Sequence, residues 1–529
     1  MKIFTAFVCA LSCSALLHAQ KASLDAAACE RLAASLKLPN ATVTLATPVT
    51  SGQFVPPPAP NATTPPAALT DLPALCRIAL TLKPTSDSDI RSEVWLPLSG
   101  WNGKFQQVGN GGWGGSIQYA ALATAVRRGY AAASTDTGHV GDTASFALDG
   151  PRSGPSGQRS LVGSHTTGHL EKLVDFGYRA VHETAVQSKA TIAAAYGGGP
   201  RLSYYNGCSG GGRQAFMEAQ RYPADFDAII AGAPGYNRTD QSFQLVLASQ
   251  ATHRDEASFI PPAKLKLLHE AALKSCDARD GLADGLIGDP LRCSPDPQVL
   301  ACKAGDAADC LTPPQVAAAK RIYAPVVHPK TGEQVFPGVE AGSEPRWTIN
   351  AGGAKPLGMS DDFFKYVVFQ DPKWDFRTLD VEKHLELARK ADGGTISVFA
   401  PDIKAFVDRG GKLLIYHGWG DTNVPPRSSV LYYNTVAASL GAKTSDSVRL
   451  FMVPGMGHCG GGEGPNVFDT VTALEAWKET GKAPTEMLAS RVEDGKVVRT
   501  RPLCPYPQIA QYTGSGSIDK AENFVCRNP

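Results

Sequence analysis

An α/β fold interrupted by a long insertion is what this chain predicts. Three observations carry that expectation: a serine pentapeptide between a strand-like and a helix-like run, two later strand-like runs ending in polar loops, and the length that separates them. Gly207-Cys208-Ser209-Gly210-Gly211 reads G-x-S-x-G. Residues 202–206 before it (Leu-Ser-Tyr-Tyr-Asn) are β-prone, and residues 212–220 after it read as a helix closed by Tyr222-Pro223. A strand that turns sharply into a helix puts Ser209 at the tip in a strained conformation, and flanking glycines let the backbone pack closely. That is the nucleophile elbow of an α/β-hydrolase core. In a chain with 53 glycines the pentapeptide alone says little; the strand-turn-helix context gives it weight.

A serine hydroxyl is a poor nucleophile until a base takes its proton. In this fold the helpers follow in the order Ser, Asp, His, each on a loop after a strand. Residues 412–416 (Lys-Leu-Leu-Ile-Tyr) lead into His417-Gly418-Trp419-Gly420-Asp421, and residues 449–453 (Arg-Leu-Phe-Met-Val) lead into Pro454-Gly455-Met456-Gly457-His458. Asp421 is therefore expected as the orienting carboxylate and His458 as the general base. His417 is the rival base. It lies four residues before Asp421 on the same strand end, which suits a place in the substrate pocket better. His139, His165, His169 and His182 read as structural or solvated.

The serine and aspartate segments are separated by residues 236–400, too long for a loop in a compact domain and therefore an expected lid. The organisation predicted is a leader at 1–19, core at 20–235, lid at 236–400 and core again at 401–529. No internal repeat is evident. Residues 51–70, rich in Pro and Ala, read as an extended surface connection. The net charge of +1, with 19% charged residues, points to neither nucleic acid nor an anionic membrane as partner.

The chain opens Met1-Lys2-Ile3, continues apolar through residues 4–17 and reaches Ala19-Gln20. A basic start, an apolar core and a small residue at −1 describe a secretory signal peptide, too short for a comfortable membrane span. Secretion or periplasmic export is the expectation. Of twelve cysteines, Cys9 and Cys13 leave with the leader, and ten remain for an oxidising compartment. Close spacing suggests Cys276–Cys293, Cys302–Cys310, Cys504–Cys526 and Cys29–Cys76. Cys208 and Cys459 are left, each beside a candidate catalytic residue. Either they bond, tying the nucleophile loop to the base loop, or they are two buried free thiols.

Cys208-Ser209, Asp421 and His458-Cys459 together resemble the CS–D–HC arrangement of the tannase/feruloyl esterase family. The resemblance extends over nearly the whole mature chain. It includes Trp101-Asn102-Gly103-Lys104-Phe105, the turn Ala231-Gly232-Ala233-Pro234-Gly235 and the tail from Arg501 to Gln508. It implies an α/β-hydrolase core with a large inserted lid, a Cys208–Cys459 disulfide, and hydrolysis of aromatic-acid esters. It also implies an oxyanion hole made by the N–H groups of Gly210 and of Gly112, in the loop Gly109-Asn110-Gly111-Gly112. That loop lacks the Lys-Ser/Thr ending of a nucleotide-binding P-loop.

Residues 276–287 form a second cluster, three carboxylates interleaved with glycines. Such a loop is either solvated or a source of the hard oxygens that calcium prefers. Its spacing is not that of an EF-hand. The resemblance implies a structural Ca²⁺ held by Asp277, Asp280 and Asp284 through their side chains and by Leu282 and Leu286 through their carbonyls. In the lid, Arg346-Trp347 and residues 363–369 supply aromatics that could stack on a substrate ring. Within the family, a mono-hydroxyethyl-terephthalate hydrolase activity is the alternative. A shorter lid after Phe369, no match for that enzyme's carboxylate-holding arginine, and Gly rather than Glu after Ser209 favour feruloyl (hydroxycinnamoyl) or galloyl esters. A serine peptidase, or a calcium-dependent carbohydrate-binding protein with a vestigial triad, are the competing readings.

Overall fold

The computed structural model describes residues 24–58, 64–148, 170–349, 351 and 358–529. The expected leader, His165 and His169 lie outside them. Among the described residues, one nine-stranded sheet organises the chain. Its strands are β1 (Ala41–Val49), β2 (Leu75–Leu82), β3 (Ile90–Pro97), β4 (Lys104–Val108), β5 (Ala131–Thr135), β6 (Leu202–Cys208), β7 (Ala228–Gly232), β8 (Lys412–Gly418) and β9 (Val448–Val453). They lie in the order β1-β2-β3-β5-β4-β6-β7-β8-β9. The first three and β5 pair antiparallel, and from β5 to β9 every pair is parallel.

Parallel strands need cover on both faces, and β4, β5 and β7 are buried along their whole length. Side chains alternate between two cores, as the period of two requires. Ile229 and Ala231 join the core under helices Ala180–Tyr196, Gly210–Arg221 and Arg427–Leu440. Ala228 and Ile230 join the core under Tyr119–Arg127 and Thr470–Thr480. The helix Gly210–Arg221 is called α1 below. This is an α/β-hydrolase core.

Between β7 and β8 the chain builds α2 (Arg238–His253) and the helices Pro262–Cys276, Pro313–Tyr323 and Val381–Asp392. They bury groups of their own, Ile260, Leu265, Leu268, Val316 and Trp347 in one cluster and Phe243, Phe363, Phe364 and Leu385 in another. The second cluster also takes in Trp113 and Phe176 from the core side. All five expected cysteine pairs are bonded.

Three local expectations change. The strand before the serine runs through Gly207 and Cys208, and α1 starts at Gly210 rather than Gly212, so Ser209 is the whole turn. The stretch 51–70 is not merely a surface connection. Phe54 bridges Leu69 and packs its ring against Trp95 at 5.1 Å, fastening the segment to β3; residues 59–63 lie outside the description. Trp347 and Phe363 are fully buried and pack within the lid, so neither is free to stack on a ligand.

Candidate active site

Ser209 sits at φ +63°, ψ −118°, a region that costs a non-glycine residue about 1–3 kcal/mol. Its surroundings impose it. The Ser209 N–H donates to the Gly232 carbonyl at the end of β7 (2.9 Å), and its carbonyl accepts from Arg213 N–H in α1 (3.0 Å). Neighbouring positions have no room for a side chain: a Cβ at Gly207 would lie 2.7 Å from Gly211, and one at Gly212 would lie 2.4 Å from the Gly232 oxygen. The turn is as tight as the glycine pattern predicts.

Asp421 follows β8 and His458 follows β9, the second and third strands beyond the elbow strand β6 in the parallel part of the sheet. Ser209 Oγ lies 2.8 Å from His458 Nε2, and His458 Nδ1 lies 2.7 Å from Asp421 Oδ2. The structure thus brings the three expected residues together from loops far apart in sequence. Cys208–Cys459 spans 251 residues and joins the neighbours of Ser209 and His458. Cys459 also has a positive φ, +62°.

Asp421 is fully buried and accepts four hydrogen bonds. Oδ1 takes the N–H groups of Asn423 (2.8 Å) and Val424 (3.0 Å), and Oδ2 takes His458 Nδ1 and His417 Nε2 (3.0 Å). Burial alone would raise the carboxyl, but the charge of His458 and the hydrogen bonds from His417 and His458 hold it well below the usual carboxylate range. Burial would likewise lower His458, yet the charge and hydrogen bond of Asp421 reverse the sign and raise it above its ordinary value. Asp421 therefore stays ionised, and His458 keeps its proton on Nδ1 with Nε2 turned to the serine.

His417 does not line a pocket. It is completely buried behind Asp421. Nε2 also faces the Val424 carbonyl (3.0 Å), which only accepts, so this nitrogen carries the proton; Nδ1 accepts from Ser429 Oγ (2.8 Å). Its place is that of a second donor holding the carboxylate. Arg346 does not face a ligand either. Its guanidinium bonds the Gly455 carbonyl and Glu463, both in the loop that carries His458.

Gly112 and Gly210 also meet. A Cβ on Gly210 would lie 3.1 Å from the Gly112 nitrogen, and the Gly210 N–H is among the orphan donors at the start of α1. The two loops are locked by reciprocal amide bonds: Asn110 N–H to Gln214 Oε1 (3.0 Å) and Gln214 Nε2 to Asn110 Oδ1 (3.2 Å). Asn110 Nδ2 further holds the Thr135 carbonyl of β5 (2.7 Å). His139, expected to be structural or solvated, is buried and donates from Nε2 to the Trp113 carbonyl (2.6 Å), and burial lowers it to about 4, so it stays neutral. His182 pairs with Asp225 and stacks on Tyr222.

In the acidic loop, Asp277 accepts the N–H groups of Asp284 (3.2 Å) and Gly285 (2.9 Å). Asp280 accepts those of Leu282 and Gly288 (both 3.0 Å). Asp284 accepts Leu286 N–H (3.2 Å) and faces Arg501 (2.5 Å). Burial, with repulsion from Asp284 and Asp277, pushes Asp280 up to about 6. The donors are the hard oxygens calcium takes, and a dication would relieve their repulsion. Among the described residues no three acidic side chains close on a point as a cage, so backbone carbonyls have to complete any such site. A cavity of about 220 Å³ beside this loop, lined by Leu282, Leu286, Trp419, Met452 and Tyr506, includes none of Ser209, Asp421 or His458.

A family model described as tannase and feruloyl esterase matches residues 76–527. The chain is 38% identical to an uncharacterized esterase of Xanthomonas campestris pv. campestris over 96% of this chain and 92% of that one. It is 32% identical to feruloyl esterase B of Aspergillus niger, covering 85% and 86%. The crystal structure of feruloyl esterase B from Aspergillus oryzae superposes with a TM-score of 0.85 at 30% identity, covering 95% of this chain and 100% of that one. Tannin acyl hydrolase from Aspergillus niger shares the fold, with a TM-score of 0.73 at 21% identity, covering 94% and 93%. The chain belongs to the tannase and feruloyl esterase family and is a carboxylic ester hydrolase.

Proposed function

We propose that the protein is a serine esterase that cleaves feruloyl (hydroxycinnamoyl) or galloyl esters through an acyl-enzyme. The observation that carries the reading is the unbroken chain Ser209 Oγ, His458, Asp421 Oδ2, with two backbone amides alongside. As Ser209 Oγ attacks the ester carbonyl carbon, His458 Nε2 takes its proton and Asp421 balances the imidazolium. The negative charge that develops on the carbonyl oxygen is met by the N–H groups of Gly112 and Gly210, each worth a few kcal/mol of barrier, about 3 in comparable sites. His458 then hands the proton to the departing alcohol oxygen, leaving the acid esterified to Ser209. Water, deprotonated by the same nitrogen, repeats the attack and releases the acid.

Asp277, Asp280 and Asp284, with the carbonyls of Leu282 and Leu286, are the residues we assign to a structural Ca²⁺. When bound, it supplies charge neutralisation in the acidic loop and no chemistry at Ser209. Five disulfides and the leader at 1–19 support export to an oxidising compartment. No helix among the described residues is long and apolar enough to cross a membrane.

The test is hydrolysis of methyl ferulate, methyl gallate, chlorogenate and the terephthalate monoester by the purified protein, with a fluorophosphonate labelling Ser209. Turnover of the first two above the fourth is expected. Preference for the terephthalate monoester, or label on another residue, would overturn the reading.

A further inference from the structure

Two buried arginines, one in α1 and one opening the insertion, have different surroundings. Arg213, in α1, is 3% exposed. Its guanidinium lies over the Phe176 ring and donates to three carbonyls, Gly177 (2.7 Å), Phe176 (3.0 Å) and Ile396 (3.5 Å). That is how a structural arginine is satisfied, its charge spread over backbone dipoles. Arg238 opens α2 and is 8% exposed. It lies over the Trp113 ring at 4.7 Å, but its Nη2 is buried without a hydrogen-bond partner. Among the described residues it forms no ion pair. Asp362 acts on it only through space, and burial, with repulsion from Arg213, pushes it down to about 9. It remains a cation at neutral pH.

An unpaired buried cation is costly, and natural interiors rarely tolerate one. Its position says what could complete it. Trp113, the indole beneath it, directly follows Gly112 of the amide pair and is pinned to the lid by its Nε1 donating to the Met359 carbonyl (2.9 Å). Met359 is also what a Cβ on Gly112 would meet, at 3.6 Å. On the other side, the charge of Arg238 reaches His458. The guanidinium is therefore within electrostatic reach of the reaction centre, with one face on an aromatic ring and its Nη2 unpaired. A planar cation so held is suited to an oxygen acceptor in its own plane.

We propose that Arg238 is a specificity-determining residue that takes an acceptor oxygen carried on the aromatic ring of the acyl group. This rests on the esterase reading above. The shared chemistry is a ring oxygen, supplied either by a phenolic hydroxyl or by a second carboxylate. An acid with a bare ring leaves the guanidinium unpaired and is discriminated against.

The experiment compares the wild-type chain with Arg238→Met and Arg238→Lys on methyl benzoate, methyl 4-hydroxybenzoate, methyl gallate and monomethyl terephthalate. The alcohol is constant, so differences report the acid. Hydrogen bonds to charged groups make the expected wild-type preference for a ring oxygen about 10- to 100-fold in kcat/KM. Arg238→Met should shrink it to within about threefold, with Arg238→Lys between. Loss of preference for the hydroxybenzoates assigns a phenol; loss for the terephthalate assigns a carboxylate. In the Ser209→Ala background, 4-hydroxybenzamide, terephthalamate and benzamide test binding without turnover. There Arg238→Met should weaken the first or second about tenfold and spare benzamide. This arm stands even if wild type cleaves none of the esters, an outcome that would sink the esterase reading alone. Among the described residues the Arg238 side chain makes no hydrogen bond for Arg238→Met to remove, so the melting temperature should equal or exceed that of wild type. An equal loss on every ester, a lower melting temperature with selectivity intact, or amides bound alike by both proteins would overturn the assignment.

Discussion

The reactive end of the sheet and the acidic loop of the insertion are both polar, both partly buried and both closed by a disulfide, yet they are built on opposite principles. At the first, acid, base and nucleophile are joined by matched donors and acceptors. Asp421 has four donors, His458 bridges acid and serine, and Cys208–Cys459 fixes loops that the parallel strands already bring close. At the second, like charges face one another inside a short loop closed by Cys276–Cys293, with backbone amides and Arg501 as partial relief. The Ser209–His458–Asp421 chain is assembled before any ligand arrives, as preorganisation for catalysis requires. The acidic loop, on the proposed calcium reading, leaves charge for a bound cation to neutralise.

Four measurements break or sharpen that contrast. Ser209→Ala should lower kcat by roughly 10⁴-fold or more while circular dichroism and melting stay those of wild type. Activity within tenfold of wild type in a folded variant would remove Ser209 from the mechanism.

Asp421→Asn should cost about 10³- to 10⁴-fold, because the amide no longer fixes the histidine tautomer. Its pH profile carries a sign. His458 acts as a base only when neutral, so activity falls as pH drops through its pKa, held above the ordinary ~6.5 by Asp421. Without the carboxylate the acid limb of the residual activity moves to lower pH. A limb that stays put would mean that the ionisation belongs to another group.

Cys208→Ala combined with Cys459→Ala leaves no free thiol. It should cost roughly 2–5 kcal/mol of stability and, through small misplacement of the Ser209–His458 pair, about 10²-fold in turnover. Peptide mapping of the unreduced protein should find the two cysteines in one fragment. Full activity in the double variant would show that strands alone hold the pair.

EDTA is expected to have the smallest effect on turnover, within about threefold below the melting temperature, and to act on stability instead. Calcium at a hundred times its dissociation constant is worth about 2.7 kcal/mol, read as a lower melting temperature that added Ca²⁺ restores. Metal analysis without calcium, together with an unmoved melting curve, would leave the acidic loop as a set of backbone caps.

Much of the core was legible in the chain because its signals are local. G-x-S-x-G between a β-prone run and a helix determines the elbow, since only glycine fits where a Cβ would strike the backbone. The order Ser209, Asp421, His458 and the apolar runs before the last two follow from how parallel strands end in loops. Cysteine spacing sufficed for the short pairs. What only the tertiary structure decided are relations between segments that carry no pattern of their own. A burial period cannot say that His417 turns inward to hold Asp421, that Trp347 and Phe363 fill the insertion, or that Arg346 grips the loop bearing His458. Nor does any motif mark Arg238, one arginine after a turn. Its Nη2 finds no partner among the described residues, and that becomes visible only when the groups around it are placed.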